Sequence, residues 1–153
     1  MLLPDREHKE VHPNLKEIFI RLGGEEPSAL VLLGEKEAAD FPFDLLAGQE
    51  AAITFVAAGG EEERIVREKL PAVSVSRRDD PSCIDHLKIR TGGRGYDIVI
   101  VWDSDPAAVR MALGAAAVLA EVVLFFVPRR KVVADLHSTI NYKGLKIRMG
   151  VSE

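Results

Sequence analysis

A single cysteine, Cys83, stands in the 153 residues. One thiol closes no internal disulfide, so the chain relies on its core and fits a reducing compartment. Aromatic residues are sparse at 6%, and basic residues do not predominate: 20 Lys plus Arg face 24 Asp plus Glu, a net charge of −4. Without a basic stripe, a nucleic-acid partner is not expected. The start, Met1-Leu2-Leu3-Pro4, lacks the basic and long apolar regions of a secretory leader. No membrane span is expected either. The longest apolar stretch, Met111 to Val127, carries Glu121 near its middle and falls short of the ~20 apolar residues a span needs. A cytoplasmic location follows as the expectation.

The apolar share is 47%. At this length one domain is expected over residues 1–153, and it can bury roughly two-thirds of its unfolded surface. Residues 1–10, rich in charge, read as a flexible arm. Pro13 opens a predicted helix with Leu15, Ile18, Phe19 and Leu22 on one face, and Gly23-Gly24 stops it.

Short apolar runs then alternate with helical stretches. Ala29 to Leu33 is continuously apolar, as a strand covered on both faces must be. The pattern predicts a helix from Phe41 to Ala47, a strand from Ile53 to Ala57 and a helix opening on Glu61-Glu62-Glu63. Arg67 and Lys69 close that helix, so its charges complement the helix dipole. A short strand at Ala72 to Val75 follows, and Asp80-Pro81 starts a helix that runs to Arg90. A strand at Ile98 to Trp102 precedes Asp103-Ser104-Asp105-Pro106, a second cap-plus-proline start. Its helix extends to Leu119, and strands follow at Val122 to Val127 and Leu145 to Met149. This alternation predicts right-handed βαβ units in a doubly wound, six-stranded parallel α/β sheet, with helices on both faces.

In such sheets ligands sit beyond the carboxyl ends of the strands, where strand order reverses. The first strand-to-helix turn reads Gly34-Glu35-Lys36-Glu37-Ala38-Ala39. Further on stands Thr91-Gly92-Gly93-Arg94-Gly95-Tyr96-Asp97-Ile98-Val99-Ile100, followed by Val123-Leu124-Phe125 with Val127-Pro128, and by Asn141-Tyr142-Lys143-Gly144-Leu145-Lys146-Ile147. On these segments the chain, from about Glu10 to Gly150, resembles the nucleotide-binding half of the medium-chain dehydrogenases, the sorbitol, threonine and alcohol dehydrogenase group. The resemblance implies a Rossmann-like domain. It also implies a homodimer joined through the 145–149 edge strand, and a separate catalytic domain that holds the family's zinc.

The departures from that family matter as much. Of its G-x-G-x-x-G turn this chain keeps Gly34, with Lys36 at the second glycine and Ala39 at the third. Ala39 suits a packing position. Glu35 and Glu37 flank Lys36 and repel a pyrophosphate. The second strand ends in Ala57-Ala58-Gly59-Gly60, without the family's acidic residue for the ribose, and Glu61 reads as a helix-start carboxylate. Ser104, Val118-Leu119-Ala120 and Phe126 replace further family glycines or small residues. Trp102 and Phe126 read as cavity filling.

Outside the family pattern little chemistry is concentrated. His8, His12, His86 and His137 are scattered, and Cys83 with His86 reads as a packed thiol beside a surface imidazole, so no metal site is expected. Asp103 and Asp105 stand at the ligand-binding edge, where helix capping accounts for them. Arg129-Arg130-Lys131 is the strongest anion-attracting run.

The vestigial crevice is therefore assigned to Gly34, Lys36, Ala39, Asp103 and Arg129, with no catalytic residue. No tightly bound cofactor is expected, NAD(P) at most weakly. The expected role is a non-catalytic structural, regulatory or accessory subunit. The alternatives are a component binding NAD(P) in a changed pose and one half of a split dehydrogenase, completed by a separate catalytic-domain protein.

Overall fold

A computed structural model of the chain describes Ile18, residues 28–125 and residues 143–149. Six strands are seen: β1 (Ala29–Leu33), β2 (Ile53–Ala57), β3 (Ser74–Arg77), β4 (Tyr96–Trp102), β5 (Ala116–Leu124) and β6 (Lys146–Met149). Three α-helices join them among the described residues: α1 (Gly60–Lys69), α2 (Cys83–Arg90) and α3 (Pro106–Ala115). The sheet order is β3-β2-β1-β4-β5-β6, and every pairing is parallel. This is the Rossmann-like doubly wound sheet expected from the alternation.

Strands β1 and β2 are buried at every position, and alternate residues feed two separate cores. Val31, Leu33, Phe55, Ile100 and Trp102 point to one face, beside Val66 of α1. Leu30, Leu32, Val56, Val99 and Val101 point to the other, beneath Leu87 of α2 and Ala108, Val109, Ala112 and Leu113 of α3. Ile18 is helical and buried in the first of these cores, and the rest of the 13–22 helix lies outside the described residues.

The first crossover departs from expectation. No α-helix forms at 41–47; three short 3-10 turns at Ala38–Asp40, Phe43–Leu46 and Glu50–Ala52 replace it. Pro42 sets where helical backbone can begin, since Phe41 before it takes an extended ψ of 133°. Gly48, with a φ of +86°, ends it, which leaves room for the single turn Phe43–Leu46. Aromatic packing does the helix's work: Phe41 meets Phe43, Phe55 and Trp102 edge-on at centroid distances of 5.0, 5.8 and 5.2 Å.

Other boundaries shift. The third strand is Ser74–Arg77 rather than 72–75, because Val73 turns inward as a loop residue. Helix α2 begins at Cys83 rather than beside Pro81, since Asp80 caps a preceding turn by accepting from the Ser82 N–H at 2.9 Å. Helix α3 stops at Ala115 rather than Leu119, and β5 starts at once with Ala116. There Tyr96 pairs with Ala116 but Ile98 with Glu121, so residues 117–120 form an irregular bulge. Leu119 within it has a φ of 67°.

Candidate functional site

The order of the sheet puts the switch point between β1 and β4, so Gly34 and Asp103 meet at their carboxyl ends. The Gly34 N–H donates to the Trp102 carbonyl at 2.9 Å, which closes the sheet at that edge. Trp102 Nε1 donates to the Glu37 carbonyl at 2.8 Å and ties the first turn down over β4.

The turn folds its own acid into the crevice. Ser104 Oγ donates to Glu37 Oε2 at 2.9 Å, and the other carboxylate oxygen of Glu37 lies above Gly34. A Cβ placed on Gly34 would overlap Glu37 and stand 2.5 Å from Asp103 Oδ1. Gly34 is thus required here for close approach of two carboxylates of the chain itself. Asp103 is 1% exposed. Its charge is balanced by Arg78, whose Nη1 donates to Asp103 Oδ2 at 2.6 Å, while Nη2 lies 3.5 Å from Asp105 Oδ2.

Both aspartates also shape backbone. Asp103 Oδ1 accepts from the Asp105 N–H, and Asp105 Oδ1 caps α3 by accepting from the Ala107 N–H, each at 2.9 Å. The expected capping role therefore holds for Asp105, whereas Asp103 is chiefly the buried partner of Arg78.

Of the residues assigned from sequence, Gly34 and Asp103 come together. Lys36 and Ala39 are exposed on the turn, and Arg129, with the rest of the 129–131 run, lies outside the described residues. Ala39 belongs to a three-residue 3-10 turn, so its expected place at a helix–strand packing contact is not taken up. Trp102 is 3% exposed and packs on Phe125 at 5.0 Å, which makes it cavity filling, and Phe126 lies outside the described residues.

Sequence reading missed Arg78. It follows β3 directly and is 25 residues from its partner, so only the strand order brings the two together. Glu37 was visible only as a repulsive flank, and its bond to Ser104 spans 67 positions. At the end of β2, Glu61 does stand in the first turn of α1, paired to Arg64, which holds its carboxyl below the usual range. Glu62, beside it, is the buried one, at 5% exposure.

Cys83 is buried, and desolvation pushes its thiol up to about 11, with Asp80 adding to the shift. His86 is exposed. No cluster of three or more metal-ligating side chains occurs among the described residues. No described helix is long and apolar enough to cross a membrane.

With this geometry in view, comparison with known proteins is informative about architecture. No family model and no curated protein matches the sequence. Solved structures do. The D-arabinose dehydrogenase from Sulfolobus solfataricus aligns with 95% of this chain at a TM-score of 0.68 and 13% identity. The shared feature is the fold. The 2R,3R-butanediol dehydrogenase from Bacillus subtilis aligns with 94% at 0.67 and 16% identity. An alcohol dehydrogenase zinc-binding domain protein from Burkholderia ambifaria aligns with 94% at 0.65 and 17%. The chain spans only 44%, 42% and 39% of these three proteins' lengths.

Proposed function

We propose that this Rossmann-like domain, related in fold to part of the dehydrogenases above, holds no dinucleotide tightly at its switch point and serves as a non-catalytic structural or accessory unit. One observation carries the reading: the carboxylates of Glu37 and Asp103 converge above Gly34, where a Rossmann turn brings backbone against a pyrophosphate. A pyrophosphate there would be repelled by the Glu37 carboxylate and would have to displace Asp103 from Arg78, in a partly desolvated site where such repulsion exceeds its value in water. The turn also opens into a three-residue 3-10 segment, so no α-helix N-terminus follows β1 directly to hold a pyrophosphate at Gly34. The residues present do not fit a pyrophosphate.

Calorimetric titration with NAD, NADH, NADP and NADPH is the direct test. No heat, or a dissociation constant of about a millimolar or weaker, is expected; one below about ten micromolar overturns the reading. A competing reading, a nucleotide held in a changed pose, takes its support from exposed Lys36 at the mouth of the turn. Micromolar affinity abolished by Lys36→Gln would favour it.

The partner in this reading is a second copy. Among the described residues strand β6 is the last of the sheet, with no described strand on its outer side. Pairing two such edges about a twofold axis would make one continuous sheet. Exposed Ile147 on β6 supplies apolar area for that contact. Sedimentation at tens of micromolar should show a dimer, and a monomer alone overturns this part of the proposal.

A further inference from the structure

The opposite end of the sheet carries a cleft that the switch-point reading does not use. Its volume is about 290 Å³, near the lower end of the roughly 300–1,000 Å³ of small-molecule sites. Its walls are the last turns of α2, the 93–95 turn and the junction of α3 with β5, with Lys143 across the mouth. Leu87, Tyr96 and Ala116 lie beneath the floor and are buried, so the apolar surface open to the cleft is that of half-buried Ile84 and exposed Val118.

The turn is built to stay open beside this floor. Gly95 has a φ of +92°, and a Cβ on it would come within 2.8 Å of the Ala117 nitrogen. Any larger residue would therefore push the turn off the start of β5. The Gly95 N–H donates to Thr91 Oγ1 at 3.0 Å, and the Gly93 N–H to the Lys88 carbonyl at 2.8 Å. So the segment that most resembles the dehydrogenases shapes this cleft rather than the switch point.

Two lysines face the opening. Lys143 Nζ donates to the carbonyls of Leu113, Gly114 and Ala116 at 2.9, 3.1 and 2.8 Å, which fixes a positive charge at the C-terminus of α3. Lys88, on the last turn of α2, is exposed and makes no side-chain hydrogen bond or ion pair among the described residues. Desolvation, and then repulsion from Lys88, hold the Lys143 ammonium below its ordinary range. The third cation, Arg94, is engaged with Asp97 at 2.8 Å. Val118, in the lining, is 66% exposed.

We propose that this cleft binds a small amphiphilic anion, its carboxylate or phosphate accepting from Lys88 and its apolar body on Ile84 and Val118. Lys143, whose three N–H groups are given to backbone carbonyls, adds its charge alone. An anion at that point would relieve the repulsion between the two ammonium groups. The apolar body would cover surface now left to water at the lip. The site lies at the amino ends of the strands, across the sheet from Gly34, and does not depend on whether the switch point holds a nucleotide.

Amide NMR titration of the full chain with octanoate, octyl phosphate, 1-octanol and inorganic phosphate separates the contributions. Saturable shifts at Leu87, Gly93, Gly95 and Ala116 are expected with octanoate or octyl phosphate, and the stronger of the two identifies the head group. Binding of 1-octanol and of inorganic phosphate should be at least about tenfold weaker, since each lacks one half of the recognition. Lys88→Gln, an exposed change that leaves the fold intact, should weaken the better anion by about fivefold or more, and Lys36→Gln should not. Equal affinity for octanoate and 1-octanol, shifts confined to other regions, or an unchanged Lys88→Gln affinity would each overturn the proposal.

Discussion

The two ends of the parallel sheet use glycine and charge in opposite ways. At the carboxyl end, Gly34 makes room for Glu37 and Asp103, and the chain's own Arg78 balances the buried acid. At the amino end, Gly95 holds a turn against β5, and the cations Lys88 and Lys143 face a cleft that stays open. One end has its electrostatics satisfied internally; the other has a lysine without an ion-pair partner among the described residues. The presence of a glycine therefore says little until the group occupying the space it leaves is known.

The largest effect should come from breaking the closed end. Replacing Arg78 with Met leaves Asp103 buried without its cation, and a loss of about 3–5 kcal/mol is expected in urea unfolding. Adding Asp103→Asn to that variant should recover part of the loss, because the neutral amide can be buried at lower cost. A loss below about 1 kcal/mol for Arg78→Met would show that solvent already screens the pair.

Next in size is the open end. Gly95→Ala combines a φ of +92° with backbone overlap, and should cost about 2–4 kcal/mol. Gly48→Ala is the matched control. Its φ is +86°, but a Cβ there meets nothing within 4 Å, so about 1 kcal/mol is expected. Equal losses at the two positions would mean that strain alone, not close approach, selects glycine at the amino end.

A smaller effect is written into the pH dependence of the carboxyl end. The folded Cys83 thiol keeps its proton up to about 11, against 9.0 for the ordinary group. Between these values the folded state binds more protons than the unfolded state. That contribution is complete below pH 9 and is lost as pH rises toward 11, by about 2 kcal/mol at most. Unfolding midpoints from pH 8 to 11 should fall more steeply for the wild type than for Cys83→Ala. Identical slopes would mean the thiol titrates normally in the folded chain. Smallest of all is Lys36→Gln, on the exposed first turn, which should leave stability within about 0.5 kcal/mol.

Much of the architecture was legible in sequence because burial on both faces of a parallel sheet leaves continuous apolar runs. Ala29 to Leu33 and Ile53 to Ala57 are such runs, and both are strands with those bounds. Asp105-Pro106 likewise announced the start of α3, since a cap followed by a fixed φ is a local device. The first crossover was misread for an equally local reason. Phe41 to Ala47 has the apolar content of a helix, but between Pro42, which keeps Phe41 extended, and Gly48 at a φ of +86° there is room for one 3-10 turn. The end of α3 was harder still, because Ala116 to Ala120 suits a helix by propensity and is drawn into β5 by pairing with Tyr96.

For the candidate site, Gly34 and Asp103 were found because the rule for ligand position in doubly wound sheets names strand ends. Glu37's role and Arg78 were not, because each depends on a side chain crossing from one strand end to another. The sequence alone determined the periodicities, the caps and the two strand ends that meet at the switch point, all properties of neighbours along the chain. Tertiary structure decided which charges meet there and which end of the sheet keeps a cleft. Those outcomes depend on the order β3-β2-β1-β4-β5-β6, which sets groups 25 to 67 residues apart within hydrogen-bond distance.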